Sequence, residues 1–245
     1  MFRIVIVGGP VEKYIDRCLE SVLSQDCPNW TACVVLDPVG DNTFEKTLNY
    51  VSDNRMNVIP NNKKMFALPN IIRSIEEQNP SPEDVILTLD ADDWFSGPNS
   101  LSIVKRYYDR NPILLMTHGS WLPYPHLPVD TNNYPYSLED WVKGIRKVDW
   151  RASHLRTFKY KVWKYVKDED LRNFDKKYFE TAWDLAIMMP MLEMCGPNRV
   201  QYISERIYTY NQETPFNDGK IRLKEQMATS RYIANKLIYN YKPTF

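Results

Sequence analysis

The chain has no excess charge of either sign: over 245 residues, Lys plus Arg and Asp plus Glu both number 31. A balanced chain carries no overall electrostatic footprint for nucleic acid, so any basic surface has to be local. Long hydrophobic runs are missing too. The longest, Leu185 to Leu192, is interrupted by Pro190 and is far too short to cross a bilayer. The opening Met-Phe-Arg-Ile-Val-Ile-Val reads as a strand and not as a signal peptide, which leads us to expect a cytoplasmic protein, peripheral to a membrane at most. The four cysteines, Cys18, Cys27, Cys33 and Cys195, lack the paired spacing of a zinc site and suit structural thiols in a reducing compartment. The three histidines, His118, His126 and His154, are too scattered to form a histidine metal cluster. There is no internal repeat and no low-complexity segment.

What is present is concentrated. Residues 85 to 95 read Val-Ile-Leu-Thr-Leu-Asp-Ala-Asp-Asp-Trp-Phe, a buried-strand pattern that ends in three carboxylates, Asp90, Asp92 and Asp93. In an open α/β sheet, ligands bind beyond the carboxyl ends of the strands, and crowded acids there repel one another unless a cation joins them. The run therefore reads as a metal-assisted nucleotide site, with an acidic turn capping the next segment as the plainer alternative. Against this stands a basic stretch, residues 143 to 167, where nine lysines and arginines face only Asp149 before the acids that follow residue 167.

The first half alternates strands and helices at βαβ spacing. Strands are expected at 2–7, 31–36, 55–59 and 85–89, with helices at 11–24, 43–52 and 67–78 between them and a further helix 98–110 and strand 113–117 after. This predicts an α/β fold: a mostly parallel, Rossmann-like sheet flanked by helices. After Gly119 the prolines and aromatics of 121–136 predict a long irregular binding loop, whose rings stack on a sugar or pack in the core. Helices are expected at 137–143, 159–167 and 181–195, a strand at 200–209, and an amphipathic basic helix at 221–241 that packs back on the domain or docks to a membrane or partner.

The strand ends meet along one crevice in such a sheet: Gly8-Gly9-Pro10, Asp37, Lys63-Lys64 and Asp90-Ala91-Asp92-Asp93. Glycine allows close backbone approach, an acid accepts from a base or ribose, lysine meets phosphate, and paired acids hold a divalent ion. Taken singly, Gly8-Gly9-Pro10 is also a tight turn and Lys63-Lys64 a solvated pair.

These residues resemble family 2 glycosyltransferases of GT-A fold. The resemblance rests on the Asp-Ala-Asp-Asp motif after its strand, Asp37 after the second strand, Asn62 with Asn70 eight residues on, Phe174-Asp175, and Trp183-Asp184-Leu185 with Gly196 closing that helix. It covers roughly residues 3 to 211. Departures are Gly8-Gly9-Pro10-Val11 where the family has Pro-X-Tyr-Asn, Lys64 and Pro69 where it has Gly and Arg, and Trp183 in place of the first acid before the late helix. The resemblance implies a GT-A domain over 1–211, with a nucleotide-sugar half (1–118) and an acceptor half (119–211), followed by a loop and basic helix (212–245).

It further implies that Asp37 meets the nucleobase, Asp90 the ribose, and Asp92 a Mn²⁺ or Mg²⁺ with Asp93 beside it. Gly8 and Lys64 complete the nucleotide-sugar site. Asp184, at the start of the late helix, is the expected catalytic base, unless it merely caps that helix. His154 is a candidate metal ligand with Asp90 and Asp92, or a structural residue, and Arg156 and Trp183 belong to the acceptor side. The expected activity is metal-dependent, inverting transfer of a sugar from a nucleoside diphosphate sugar, UDP-linked by resemblance, to an acceptor hydroxyl of a glycan. Two alternatives stand beside it. One is glycosylation of a hydroxylated base in DNA, for which the basic 143–167 stretch would track the strand. The other is a sugar nucleotidyltransferase, disfavoured because Pro10-Val11-Glu12 supplies neither the glycines nor the arginine of a triphosphate loop.

Overall fold

The computed structural model describes residues 1–38, 40–126, 133–215 and 218–245. One eight-stranded sheet runs β3-β2-β1-β4-β7-β6-β8-β5. Its parallel heart is β1 (Phe2–Gly8), β2 (Trp30–Leu36), β3 (Met56–Pro60) and β4 (Val85–Asp90), linked by α1 (Ile15–Leu23), α2 (Thr43–Thr47) and α3 (Ala67–Glu77). These strands form because their side chains are buried on both faces. Ile4, Ile6, Leu87 and Leu89 point into one core cluster, while Val5, Val7 and Ile86 point into the other. Helix α1 buries Ile15, Cys18, Leu19 and Val22, one stripe at helical spacing.

Beyond β4 the sheet is mixed and not mostly parallel. After β5 (Trp94–Phe95) and α4 (Ser100–Arg110) comes β6 (Met116–Tyr124), and β7 (Thr157–Lys159) lies antiparallel between β4 and β6. The short α5 (Leu138–Lys143) and α6 (Tyr160–Trp163) flank β7 in the chain. Then follow α7 (Trp183–Cys195) and β8 (Val200–Asn211), which pairs parallel with β6 and antiparallel with β5. Helix α7 is apolar on all sides and buried almost throughout; its one acid beyond the first turn, Glu193, is neutralised by Arg146 through bonds of 2.6 and 2.9 Å.

The helix expected at 43–52 ends at Thr47, and three other expected elements differ more. Residues 121–124 are strand and not loop: β6 continues through a register shift between Gly119 and Trp121, and past Thr117 its only strand partner among the described residues is β8, so Pro123 sits where a missing N–H is tolerated. The expected aromatic loop therefore begins later, and its residues 127–132 lie outside those described. The expected helix 159–167 shrinks to α6, because Lys159 and Tyr160 donate their N–H groups to Leu115 and Asp84 across the sheet. The expected 221–241 helix is α8 (Asp218–Ile221) and α9 (Leu223–Ala234). Beyond Ala234 tertiary contacts win over helix continuation. Tyr239 N–H donates to Glu193 and Lys242 N–H to the Met194 carbonyl, while Arg199 donates to the carbonyls of Lys242 and Pro243.

The C-terminal segment docks through Ile233, which is buried in the α7 core cluster and whose carbonyl accepts from Arg146. Among the described residues no helix is long and apolar enough to cross a membrane. All four cysteines are free and buried.

Candidate functional site

A cleft of about 600 Å³ opens at the carboxyl ends of β1, β2 and β4. One wall carries Gly8, Asp37, Lys64, Asp90 and Asp92; the other carries His154, Arg156, Trp183 and Asp184. The volume lies in the range of small-molecule sites. Of the other residues singled out in the sequence, Gly9, Pro10 and Asn70 also line it, whereas Asn62, Lys63, Asp93, Phe174, Asp175 and Gly196 do not.

Gly8 is where β1 meets the acidic turn. A Cβ there would fall 2.5 Å from Ala91 Cβ, so glycine is required by close approach to Ala91. That contact sets the depth at which Asp90 and Asp92 enter the cleft.

Asp37 organises the neighbouring loop. Its Oδ1 accepts from Asn61 Nδ2 (2.9 Å), Asn70 Nδ2 (3.0 Å) and Met65 N–H (3.0 Å), and its Oδ2 from Phe66 N–H (2.9 Å). Phe66 is thereby held at φ +67°, in the left-handed half of backbone space where a side chain is strained. The asparagine that matters is Asn61, which also bonds Asn70 Oδ1 at 2.7 Å; the expected Asn62 is exposed. Lys64 stands at the loop tip with its Nζ 4.5 Å from the centre of the Phe66 ring.

The three acids of the β4 turn separate into distinct environments. Asp92 faces the cleft; burial pushes its carboxyl up, and hydrogen bonds, one from the Thr214 side chain, pull it back. Asp93, expected beside it on the donor, is instead wholly buried. It accepts from Tyr208 Oη (2.5 Å) and Asn211 N–H (2.7 Å), tying the turn to β8. Burial first, then the charges of Asp92 and Asp90, push its carboxyl well above the ordinary range.

The expected metal set is also rearranged. Ligand atoms of Asp90, Asp93 and His154 lie within 4.8 Å of one another, and Asp92 is outside that group. The turn backbone decides this, since successive residues of a turn point their carboxylates in different directions. The donor set fits a divalent cation: two oxygen ligands whose mutual repulsion wants a counter-charge, and an imidazole held neutral. His154 is pushed well below its usual range by burial and then by Arg156. Its ring stacks on Tyr208 at 4.4 Å and Tyr210 at 5.6 Å, which fixes its plane. Tyr208 Oη also accepts from Asp90 N–H at 3.4 Å, so one tyrosine touches all three members of the group.

Across the cleft, Arg156 joins two of the expected residues. It is 4% exposed, approaches both His154 ring nitrogens at 3.3 Å and donates to Asp184 Oδ2 at 3.0 Å, with its guanidinium 5.2 Å from the Trp183 ring centre. Asp184 stands in the first turn of α7 and half-buried, its orientation set by that ion pair.

Five of the nine cations in 143–167 are paired with carboxylates: Arg146, Arg151, Arg156, Lys159 and Lys161. Pairing offsets the positive charge of these five, which weakens the case for a strand-tracking surface. The aromatics Trp121, Tyr124 and Tyr136 pack on Tyr210, Trp94 and Trp141 and are absent from the cleft wall.

Cleft residues without a sequence signal are Phe66, Glu180, Tyr210, Thr214 and Arg222. Arg222 and Gln226 come from the C-terminal segment, more than 120 residues from the Asp90 turn in sequence, so no local spacing could reveal them. Glu180, which donates nothing and accepts from Arg222 at 2.7 Å, is a second acid on the Asp184 side.

Residues 4–122 match the family model described as glycosyl transferase family 2. Curated protein sequences give no match. Among solved structures, S. aureus TarS 1-349 in complex with UDP-GlcNAc is similar at 18% identity and TM-score 0.66, over 95% of this chain and 66% of that one. Full TarS is similar at 18% identity and TM-score 0.64, over 94% of this chain and 38% of that one. The mannosyltransferase PcManGT from Pyrobaculum calidifontis, in complex with GDP-Man and Mn²⁺, is similar at 12% identity and TM-score 0.60, over 97% and 65%. The chain thus spans about two thirds or less of the length of these relatives. The sheet with its flanking helices is the GT-A fold, and residues 4–122, just under half of the chain, match glycosyl transferase family 2.

Proposed function

We propose that the cleft transfers a sugar from a nucleoside diphosphate sugar to an acceptor hydroxyl, with inversion at the anomeric carbon. The observation that carries this reading is the cleft itself. Acids at the ends of β2 and β4 face an arginine-oriented carboxylate, Asp184, across a space sized for a nucleotide sugar. The donor is UDP-linked in the reading the TarS complex supports, and the acceptor is a hydroxyl of a glycan.

Asp37 Oδ2, which accepts only the Phe66 N–H, keeps capacity for a nucleobase N–H. Asp90 accepts from the ribose, and Asp90, Asp93 and His154 would hold a Mn²⁺ or Mg²⁺. Such an ion, when bound, neutralises charge developing on a leaving diphosphate. The acceptor oxygen attacks the anomeric carbon as its proton passes to Asp184, and the bond from that carbon to the diphosphate oxygen breaks with its electron pair leaving on the nucleoside diphosphate. Arg156 keeps the Asp184 carboxylate turned toward the cleft, and the Trp183 ring supplies an apolar platform for the acceptor sugar.

The test is Asp184→Asn beside Glu180→Gln, since both acids line this side. Loss of about 10²- to 10⁴-fold in kcat for Asp184→Asn, with donor affinity kept, supports the assignment. The same loss in Glu180→Gln with Asp184→Asn active would transfer the base role to Glu180. A product of retained anomeric configuration by NMR would sink the one-step displacement.

A further inference from the structure

A diphosphate brings several negative charges into a cleft already lined by Asp37, Asp90, Asp92, Glu180 and Asp184. Beyond any metal, it needs cations, and three line the cleft among the described residues: Lys64, Arg156 and Arg222. Arg156 is buried and committed to Asp184 and to the His154 face. That leaves Lys64, on the loop organised by Asp37, and Arg222, between α8 and α9. Both lie against one ring: Lys64 Nζ is 4.5 Å and Arg222 Cζ 5.2 Å from the centre of Phe66. Two cations sharing one aromatic ring flank the same strip of cleft, and an anion placed there is met by both.

Arg222 is engaged with two acids. Its Nη2 donates to Glu180 Oε2 at 2.7 Å, and it bonds both carboxylate oxygens of Glu225, Nε to Oε2 at 2.9 Å. Glu180 lines the cleft and Glu225 does not. Within the cleft, a phosphate arriving beside Arg222 competes with Glu180, and like charges prevent both from holding it at once.

We infer that Arg222 completes the donor site from the C-terminal segment, and that the donor's diphosphate displaces Glu180 from it, leaving the Glu180 carboxylate turned into the acceptor side. This deepens the nucleotide-sugar reading and rests on it. The exchange makes donor binding a precondition for a free Glu180, which then accepts a hydroxyl of the acceptor. Ordered binding, donor first, follows from the geometry. Helix α9 is suited to hold Arg222 in place because Ile233 anchors it in the α7 core.

The experiment is calorimetric titration of the full chain with UDP and with uridine, or with GDP and guanosine if guanine is the base the wild type takes, at fixed Mn²⁺. Four proteins are compared: wild type, Arg222→Ala, Glu180→Gln and Glu225→Gln. Loss of a charge-assisted phosphate contact weakens diphosphate binding about tenfold or more in Arg222→Ala, with nucleoside affinity unchanged within about twofold. Glu180→Gln removes the competitor and tightens diphosphate binding by about threefold or more, while Glu225→Gln leaves both ligands as in wild type. Equal weakening of nucleoside and diphosphate in Arg222→Ala, or no weakening of either, overturns the inference, as does Glu180→Gln binding diphosphate more weakly. If the wild type binds none of the nucleotides, the nucleotide-sugar reading itself fails, which is a different result from a bound nucleotide indifferent to Arg222.

Discussion

Replacing Asp37 with alanine tests whether that side chain builds the loop as well as facing the ligand. Its carboxylate is 7% exposed and takes four hydrogen bonds, from Asn61, Met65, Phe66 and Asn70. Hydrogen bonds to a charged acceptor are worth about 1.5 to 3 kcal/mol each, but water replaces part of those to the half-exposed Met65 and Phe66, and Asn61 keeps its bond to Asn70. Relaxation of Phe66 from φ +67° returns about another 1 kcal/mol. A net loss of about 3 to 5 kcal/mol remains, or about 6 to 20 °C in Tm at this chain length. Asp37→Asn keeps an oxygen toward Asn61, Met65 and Asn70 and loses mainly the Phe66 bond, so it costs only about 1 to 2 kcal/mol. Thermal unfolding of the ligand-free proteins measures both. A Tm for Asp37→Ala within about 2 °C of wild type, or Asp37→Asn as damaging as Asp37→Ala, would refute the loop-building role.

Gly8→Ala drives a methyl to 2.5 Å from Ala91 Cβ, a clash of two atoms rigidly fixed to their backbones that costs about 1 to 3 kcal/mol and displaces the Asp90 turn; unfolding and nucleotide titration should both register it, and unchanged nucleotide affinity would separate the turn from the site. His118 is held down to about 4 by burial. Its folded form stays neutral while the unfolded chain takes a proton below about 6.5, so stability is full above that pH and is lost as the pH falls toward 4, by about 3 kcal/mol. Chemical denaturation of His118→Gln at pH 7 and pH 4.5 should show a smaller loss between the two than wild type; an identical loss contradicts the assignment.

The parallel heart of the sheet was legible because β1, β2 and β4 are β-branched runs ending in glycine or aspartate, and their carboxyl ends meet in any doubly wound sheet. For the same reason Gly8, Asp37, Asp90 and Asp92 could be picked out by position. What could not be read was orientation. Whether Asp92 or Asp93 joins Asp90 and His154 depends on the turn backbone, and whether Asn61 or Asn62 bonds Asp37 depends on a one-residue register in a loop. Tertiary context also overrode local pattern: the segment 159–167 that reads as helix gives Lys159 to β7 and is α-helical only over α6, and Pro123 sits in a strand where, among the described residues, β8 alone pairs with it. Arg222 and Glu180 were invisible because nothing in the sequence links α9 to the strand ends.

The central claim, that the cleft takes a nucleoside diphosphate together with a divalent ion, is tested most directly by thermal shift with UDP, GDP, CDP and ADP, each with and without Mn²⁺. At about a hundred times the dissociation constant a ligand adds about 2.7 kcal/mol, or about 5 to 10 °C here. The account predicts such a shift for one nucleotide, dependent on Mn²⁺ and lost in Asp90→Ala. No shift with any of the four, or a shift that survives Asp90→Ala unchanged, would contradict it.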